Sequence, residues 1–198
     1  MYPFFKRLFD VLASLLALVM LCPVWAVITV LIKKDGGPVI YKARRVGLNG
    51  KPFIMWKFRT MVVNADQLGG SSTPDDDARI TDIGRFLRRT KLDEFPQLVN
   101  VLKGEMSFVG PRPQIQWAVD LYTLEERQVL SVRPGMTDSA SVRFPSEGKI
   151  LKGSKDPDGD YMKLIHPHKM RLSLEYVLNR SMLLDLKLIF QTVWTILK

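Results

Sequence analysis

The sequence predicts an α+β fold: an N-terminal re-entrant membrane segment of helix-break-helix form, then a small, mostly helical cytoplasmic domain with a short β-hairpin and interfacial amphipathic helices. Three observations predict it. "VLASLLALVMLCPVWAVITVLI" (residues 11–32) is apolar and uncharged, "IYKARRVGLNGKPFIMWKFRTM" reads as two strands about an Asn-Gly turn, and the later segments "DIGRFLRRT", "PQLVNVLKG" and "MLLDLKLIFQTVWTILK" have helical spacing. The chain divides into a membrane anchor at 1–35 and a domain at 36–198.

As a helix the run 11–32 measures roughly 33 Å, enough to cross a hydrocarbon core. No small-residue cleavage site follows it, and Lys33 and Lys34 close it, so it reads as a retained segment. Lys6 and Arg7 precede the run, so basic residues flank both ends and a single crossing has no preferred direction. Pro23 divides it into legs of about 18 and 14 Å. A hairpin with its apex at Pro23 satisfies both facts, although a spanning helix kinked there fits the same residues. Asp10 is expected to pair with Lys6 and Arg7 at the interface.

The hydrophobic share of 46% excludes a disordered chain, and 29 basic against 20 acidic residues give a net charge of +9 that favours an anionic partner. One cysteine, Cys22, excludes an internal disulfide and a cysteine-based zinc cluster. The hairpin strands are expected at about 39–46 and 52–58, and residues 64–81 as a mobile loop beside the site. "DIGRFLRRT" has helical spacing that brings Arg85, Arg88 and Arg89 to one side. "LEERQVLSV" reads as a helix broken by "RPG" at 133–135, and "HPHK", with His166 and His168, as an exposed turn around Pro167. "SKDPDGDY" places glycine at position 4 of a would-be calcium loop and Pro167 at position 12, so calcium is excluded there. The C-terminal helix either packs on the core or lies on the membrane with Trp194 at the boundary.

"TKLDEFPQLVNVLKGEMSFVGPRP" sets two adjacent carboxylates, Asp93 and Glu94, between arginines. Pro96 is accepted only in a first helical turn, so a helix is expected to begin near Asp93, which makes capping the plain reading of the acids. The arginines, with Arg112 in "VGPRP", exceed what one capped helix requires and suit diphosphate oxygens. A carboxylate can attack phosphorus to give an acyl phosphate while a second helps to hold Mg²⁺ across the phosphates. The residues thus point to membrane-bound phosphotransfer.

"KRLFD", "YKARRVGLNGKPFIMWKFRTM", "RITDIGRFLRRTKLDEFPQLVNVLKGEMSFVGPRP" and "VRPGMT" together resemble the monotopic polyprenyl-phosphate phosphoglycosyl transferases, the bacterial sugar transferases that begin surface-glycan assembly. The resemblance implies a re-entrant helix broken at Pro23, a site on the cytoplasmic face of the inner membrane, Mg²⁺ and membrane lipids as surroundings. It implies transfer of a sugar 1-phosphate from a UDP-sugar to polyprenyl phosphate (undecaprenyl phosphate), with UMP released. Asp93 matches the nucleophile and Glu94 its dyad partner, both at the metal. Lys57, Arg59, Arg88 and Arg112 match basic positions near the phosphates, and Arg85 and Arg133 are candidate substrate-binding residues beside them. After "VRPGMT" the chain departs from the family pattern with "DSASVRFPSEGK", where Arg143 stands in for an arginine at another spacing. The segment that follows, to residue 169, covers the sugar or nucleotide pocket or contacts a second copy in a homodimer.

Nucleic acid is not an expected partner. Two other readings remain: a non-catalytic anchored module for anionic lipid or nucleic acid, and a sugar-nucleotide hydrolase in which water replaces the lipid acceptor.

Overall fold

The structure, a computed structural model, describes residues 1–34, 36–144 and 147–197. One α-helix, α1 (Tyr2–Lys33), opens the chain and runs through Pro23 uninterrupted. This corrects the expected helix-break-helix: proline deletes a single N–H donor, and the hydrogen bonds around it carry the helix past that gap. The domain boundary expected at residue 35 lies outside the described residues.

The domain holds α1 at both ends. Near its start, Arg7 donates to the carbonyls of Val101 at 2.6 Å and Leu102 at 2.9 Å, and Asp10 accepts from Ser107 Oγ and the Phe108 N–H, both at 3.1 Å. The expected pairing of Asp10 with Lys6 and Arg7 gives way because these longer side chains reach other acceptors, Lys6 going to Asp185 at 2.7 Å. Near its end, Ile28 and Ile32 pack on Phe58 and Leu87, and the Trp25 ring meets Phe58 edge-on at 5.1 Å. Between the two contacts Leu15, Leu16, Val19 and Met20 are exposed.

Strands β1 (Ile40–Val46) and β2 (Pro52–Phe58) pair antiparallel, with Tyr41 opposite Lys57 and Arg45 opposite Phe53. Their connection turns through Asn49 and Gly50, both left-handed, as the Asn-Gly pair predicts. The segment after the hairpin contains a short helix, α2 (Ala65–Leu68), and is tied by Arg79, which pairs with Asp77 at 2.6 Å and donates to the carbonyls of Ala65 and Gly70. Helix α3 (Asp82–Arg89) starts at a Thr81 cap. Lys91, at φ 58°, turns the chain into a 3₁₀ turn at Leu92–Glu94, and α4 (Gln97–Lys103) begins only after Pro96. The acids therefore stand before the helix expected to contain them, because left-handed Lys91 starts a tighter turn first.

Strand β3 (Ser107–Val109), α5 (Gln116–Asp120) and a 3₁₀ stretch at Glu126–Ser131, where a longer helix was expected, lead to β4 (Gly135–Thr137). β3 and β4 pair in parallel, a feature the sequence reading did not anticipate. A Cβ on Gly135 would lie 2.1 Å from the Gly110 nitrogen, and one on Gly110 would lie 2.4 Å from the Arg133 oxygen, so "VGPRP" and "RPG" cross where only glycine fits.

Helices α6 (Ser139–Arg143), α7 (Glu147–Ile150) and α8 (Pro157–Asp160) and a π-helical turn at Tyr161–Ile165 precede α9 (His166–Asn179). His166, expected in an exposed turn, is buried against the Tyr122 ring at 5.6 Å, because Pro167 sits comfortably in the first turn of α9 and continues the helix. In α10 (Met182–Leu197) one face carries buried Asp185 and Leu188, while Leu183, Phe190 and Trp194 are exposed. Asp185 accepts from Lys6 at 2.7 Å, Tyr2 at 2.9 Å and Tyr176 at 2.8 Å, joining the start of α1 to α9 and α10.

Candidate active site

The turn at Leu92–Glu94 is anchored through apolar neighbours. Leu92 and Phe95, on either side of the acids, pack into the cluster formed by Ile28, Ile32, Phe58 and Leu87, so Asp93 and Glu94 are fixed beside the C-terminal end of α1. This follows from the local sequence, since Leu-Asp-Glu-Phe in a three-residue turn sets its outer pair toward one side and its acids away from it.

Lys57 reaches the acids from β2, with Nζ 2.9 Å from Glu94 Oε1 and 3.9 Å from Asp93 Oδ2. Arg112, placed just beyond the Gly110–Gly135 crossing, sets Nη2 2.7 Å from the same Glu94 oxygen. Glu94 thus meets two cations through one atom. Asp93 is buried as well, yet among the described residues its carboxylate has only the long approach of Lys57.

Electrostatics separates the two acids. Burial raises the Asp93 carboxyl above the ordinary aspartate range, and the Lys57 and Arg88 charges only partly offset it while Glu94 adds to it. Burial would raise Glu94 too, but Arg112 and Lys57 hold it well below the usual carboxylate range. Lys57 is lowered by its own burial against the attraction of Glu94, and Arg112 is raised by Glu94. Glu94 is accordingly the fixed anion, and Asp93 is the basic, weakly engaged carboxylate.

Arg88 donates from Nε to Thr60 Oγ1 at 3.1 Å and lies within electrostatic reach of Asp93. Arg85 is exposed and pairs with Asp82 at 2.6 Å, and Arg89 is exposed, so only one of the three arginines of α3 adjoins the acids. Arg59 donates to the carbonyls of Pro38 at 2.7 Å, Ile32 and Met61 at 3.3 Å, and Gly36, closing the end of α1. Arg133 donates to Gly104 O at 2.8 Å at the end of α4. Arg143 is exposed at the end of α6. Asp93, Glu94, Lys57, Arg88 and Arg112 come together; Arg59 and Arg133 hold backbone, and Arg85 and Arg143 are outward.

The sequence reading missed several residues near this site. Gln97 is buried and among the described residues its Nε2 has no acceptor; its place directly after Pro96 was the only signal. Lys169 is buried in an ion pair with Glu147 at 2.7 Å, its ammonium 5.7 Å from the Tyr161 ring centre. Arg112, Gln114, Tyr161, His166 and Lys169 line one cleft. The segment expected to cover a pocket or bind a second copy docks on residues 71–75: Asp158 accepts from the Ser72 N–H at 2.7 Å, and the Asp75 N–H donates to Gly148 O at 3.1 Å.

The carboxylate pair, ringed by lysine and arginines whose forks suit phosphate oxygens, is packed on the end of a helix long and apolar enough to cross a membrane. The chain belongs to the bacterial sugar transferase family, which matches residues 1–198. It is 36% identical to the UDP-N-acetylgalactosamine-undecaprenyl-phosphate N-acetylgalactosaminephosphotransferase of Aeromonas hydrophila, over 99% of this chain and 44% of that protein. It is 36% identical to the exopolysaccharide production protein ExoY of Sinorhizobium fredii, over 95% of this chain and 83% of that protein. With the UDP-glucose:undecaprenyl-phosphate glucose-1-phosphate transferase of Escherichia coli it shares 35% identity over 96% of this chain and 39% of the other. The chain thus spans less than half the length of two of these relatives and most of the third.

Proposed function

We propose that this chain transfers a sugar 1-phosphate from a UDP-sugar to undecaprenyl phosphate, releasing UMP, as the first membrane step of surface-polysaccharide synthesis. The observation that carries this reading is the packing of the Asp93–Glu94 turn on the C-terminal end of α1, which supports an acid pair lying at the level of a lipid phosphate. Relatives whose names specify undecaprenyl-phosphate sugar phosphotransfer support the substrates.

Asp93 is the nucleophile because its carboxylate is basic and weakly engaged. Its oxygen bonds to the sugar-bearing β-phosphorus as the bond to the bridging oxygen breaks, and UMP leaves with that electron pair. An oxygen of the polyprenyl phosphate then attacks the same phosphorus and frees the Asp93 carboxylate. Glu94 holds Lys57 and Arg112 in place, and Arg88 faces the developing oxygen charge. Two carboxylates plus substrate phosphates are a donor set suited to Mg²⁺, and Asp93 and Glu94 would hold it; when bound, the ion neutralises phosphate charge.

In this reading α1 is re-entrant as one continuous helix that bends at Pro23 without breaking, and residues 36–198 form a catalytic domain on the cytoplasmic face of the bacterial inner membrane. The grip of one domain on both ends of α1 supports it, because both ends then lie on one side. The test is to incubate the protein with labelled UDP-sugar and no lipid, then digest it. The expected result is a phosphosugar on the peptide containing Asp93, discharged by undecaprenyl phosphate. UMP release that proceeds catalytically with no such adduct and no need of lipid would replace the proposal with hydrolysis.

A further inference from the structure

We propose that Arg45 is a phosphate-binding residue which, with Arg112, forms a second basic subsite holding the nucleoside-side phosphate of the donor; this rests on the transfer reading above. In the hairpin register Tyr41 faces Lys57 and Arg45 faces Phe53, and side chains alternate between faces, so Arg45 shares the face that presents Lys57 to the acids. The next residue, Val46, donates its N–H to Gln114 O at 2.9 Å, which brings the end of β1 against "PRPQ" and Arg112.

Arg45 is half-buried, and among the described residues no carboxylate lies within ion-pair distance of it. Among the described residues its one hydrogen bond is a 3.4 Å contact with the neighbouring Arg44 carbonyl. Three of the neighbouring cations are matched, Arg112 and Lys57 by Glu94 and Lys169 by Glu147, while Arg88 donates to Thr60 beside Asp93. Burial and the nearby Arg112 charge both work against the Arg45 charge. Arg45 and Arg112 are close enough for their charges to interact and only Arg112 has a carboxylate partner, an arrangement that favours an anion, and their planar forks suit phosphate oxygens.

Position selects the donor over the lipid. Ile40, at the start of β1, packs in the cluster at the C-terminal end of α1, and Arg45 lies five residues, roughly 17 Å, further along the strand. The cleft next to Arg112 also offers Gln114, whose Nε2 is 3.2 Å from the Tyr161 hydroxyl, as polar lining. When Asp93 bonds to the β-phosphorus, the bridging oxygen keeps the electron pair and becomes the third terminal oxygen of UMP. The α-phosphate then carries one more negative charge, with no proton moved, and a second guanidinium favours that state.

The experiment measures equilibrium binding of UMP, uridine and a short-chain polyprenyl phosphate to detergent-purified protein, for the parent, Arg45→Met, Arg45→Lys and, as an exposed control on α9, Arg171→Met, with a thermal melt of each. The expected result is UMP binding weakened about tenfold or more in Arg45→Met, partly restored in Arg45→Lys and unchanged in Arg171→Met, with polyprenyl phosphate unaffected. UMP binding unchanged in Arg45→Met overturns the subsite and leaves the transfer reading standing, since adduct formation on Asp93 judges that separately. Weakened polyprenyl phosphate binding with UMP unchanged overturns the assignment to the donor. Equal loss in both variants together with a lowered melting temperature assigns Arg45 a structural role and also overturns it.

Discussion

Arg112 Nη2 lies 2.7 Å from Glu94 Oε1, the oxygen that also accepts from Lys57 Nζ at 2.9 Å. One carboxylate oxygen therefore fixes two cations from different parts of the chain, and the adjacent Asp93 stays weakly engaged. The consequences differ for the two acids.

Asp93→Asn removes the proposed nucleophile and a buried carboxylate at once. Turnover is expected to vanish, while the melting temperature is unchanged or raised, because a buried charge that Lys57 and Arg88 only partly offset has become a neutral amide. Radiolabelled lipid-linked sugar and a thermal melt on one preparation check both parts. Residual turnover at the parental rate would remove Asp93 from its role.

Glu94→Gln breaks a largely buried ion cluster and leaves Lys57 and Arg112 short of a counter-charge, so a loss of roughly 3 kcal/mol is expected at neutral pH. The native Glu94 carboxyl is depressed, so its contribution is present above the unfolded value of about 4.3 and is lost as pH falls through the native value. The gap between parent and variant in urea midpoints should therefore persist at mildly acidic pH and close below about 4. A gap that stays constant into strong acid would show that lost packing, not charge, sets it.

Lys57→Met tests the tuning of Asp93. Burial already raises that carboxyl, and Lys57 is the strongest influence lowering it. Without the ammonium the ionised form is less favoured, so the acid limb of the pH–rate profile should move to higher pH and the rate at neutral pH should fall. A limb that moves to lower pH contradicts the assignment of Asp93 as the ionising group.

Single cysteines at Tyr2 and Lys34, in a Cys22→Ser background, test whether α1 is re-entrant. Both are expected to react with a membrane-impermeant maleimide from the cytoplasmic face alone. In a Pro23→Leu chain, which restores the missing N–H and favours a straight helix, the Tyr2 site should lose that reactivity or change sides. Labelling of the two parental sites from opposite faces would establish a spanning helix.

Arg59→Lys replaces a fork that donates to several carbonyls with a single ammonium, so the closure at the end of α1 should weaken by about 2 kcal/mol. The expected readout is a lowered melting temperature with UMP affinity unchanged. A selective loss of UMP binding at constant stability would instead make Arg59 a substrate ligand.

The amino-acid sequence alone specified the apolar helix, the hairpin and its Asn-Gly turn, and the acid pair among cations, because these depend on hydrophobic length, strand alternation and turn chemistry within a few residues. It did not determine which arginines meet the acids. Arg85, Arg88 and Arg89 share one short helix, yet only Arg88 adjoins Asp93. Arg112 arrives through a crossing of two glycine-bearing loops separated by more than twenty residues. The unlike character of Asp93 and Glu94 also belongs to the tertiary structure, since adjacent carboxyls in a chain are chemically near-equal until burial and distant charges act on one more than the other.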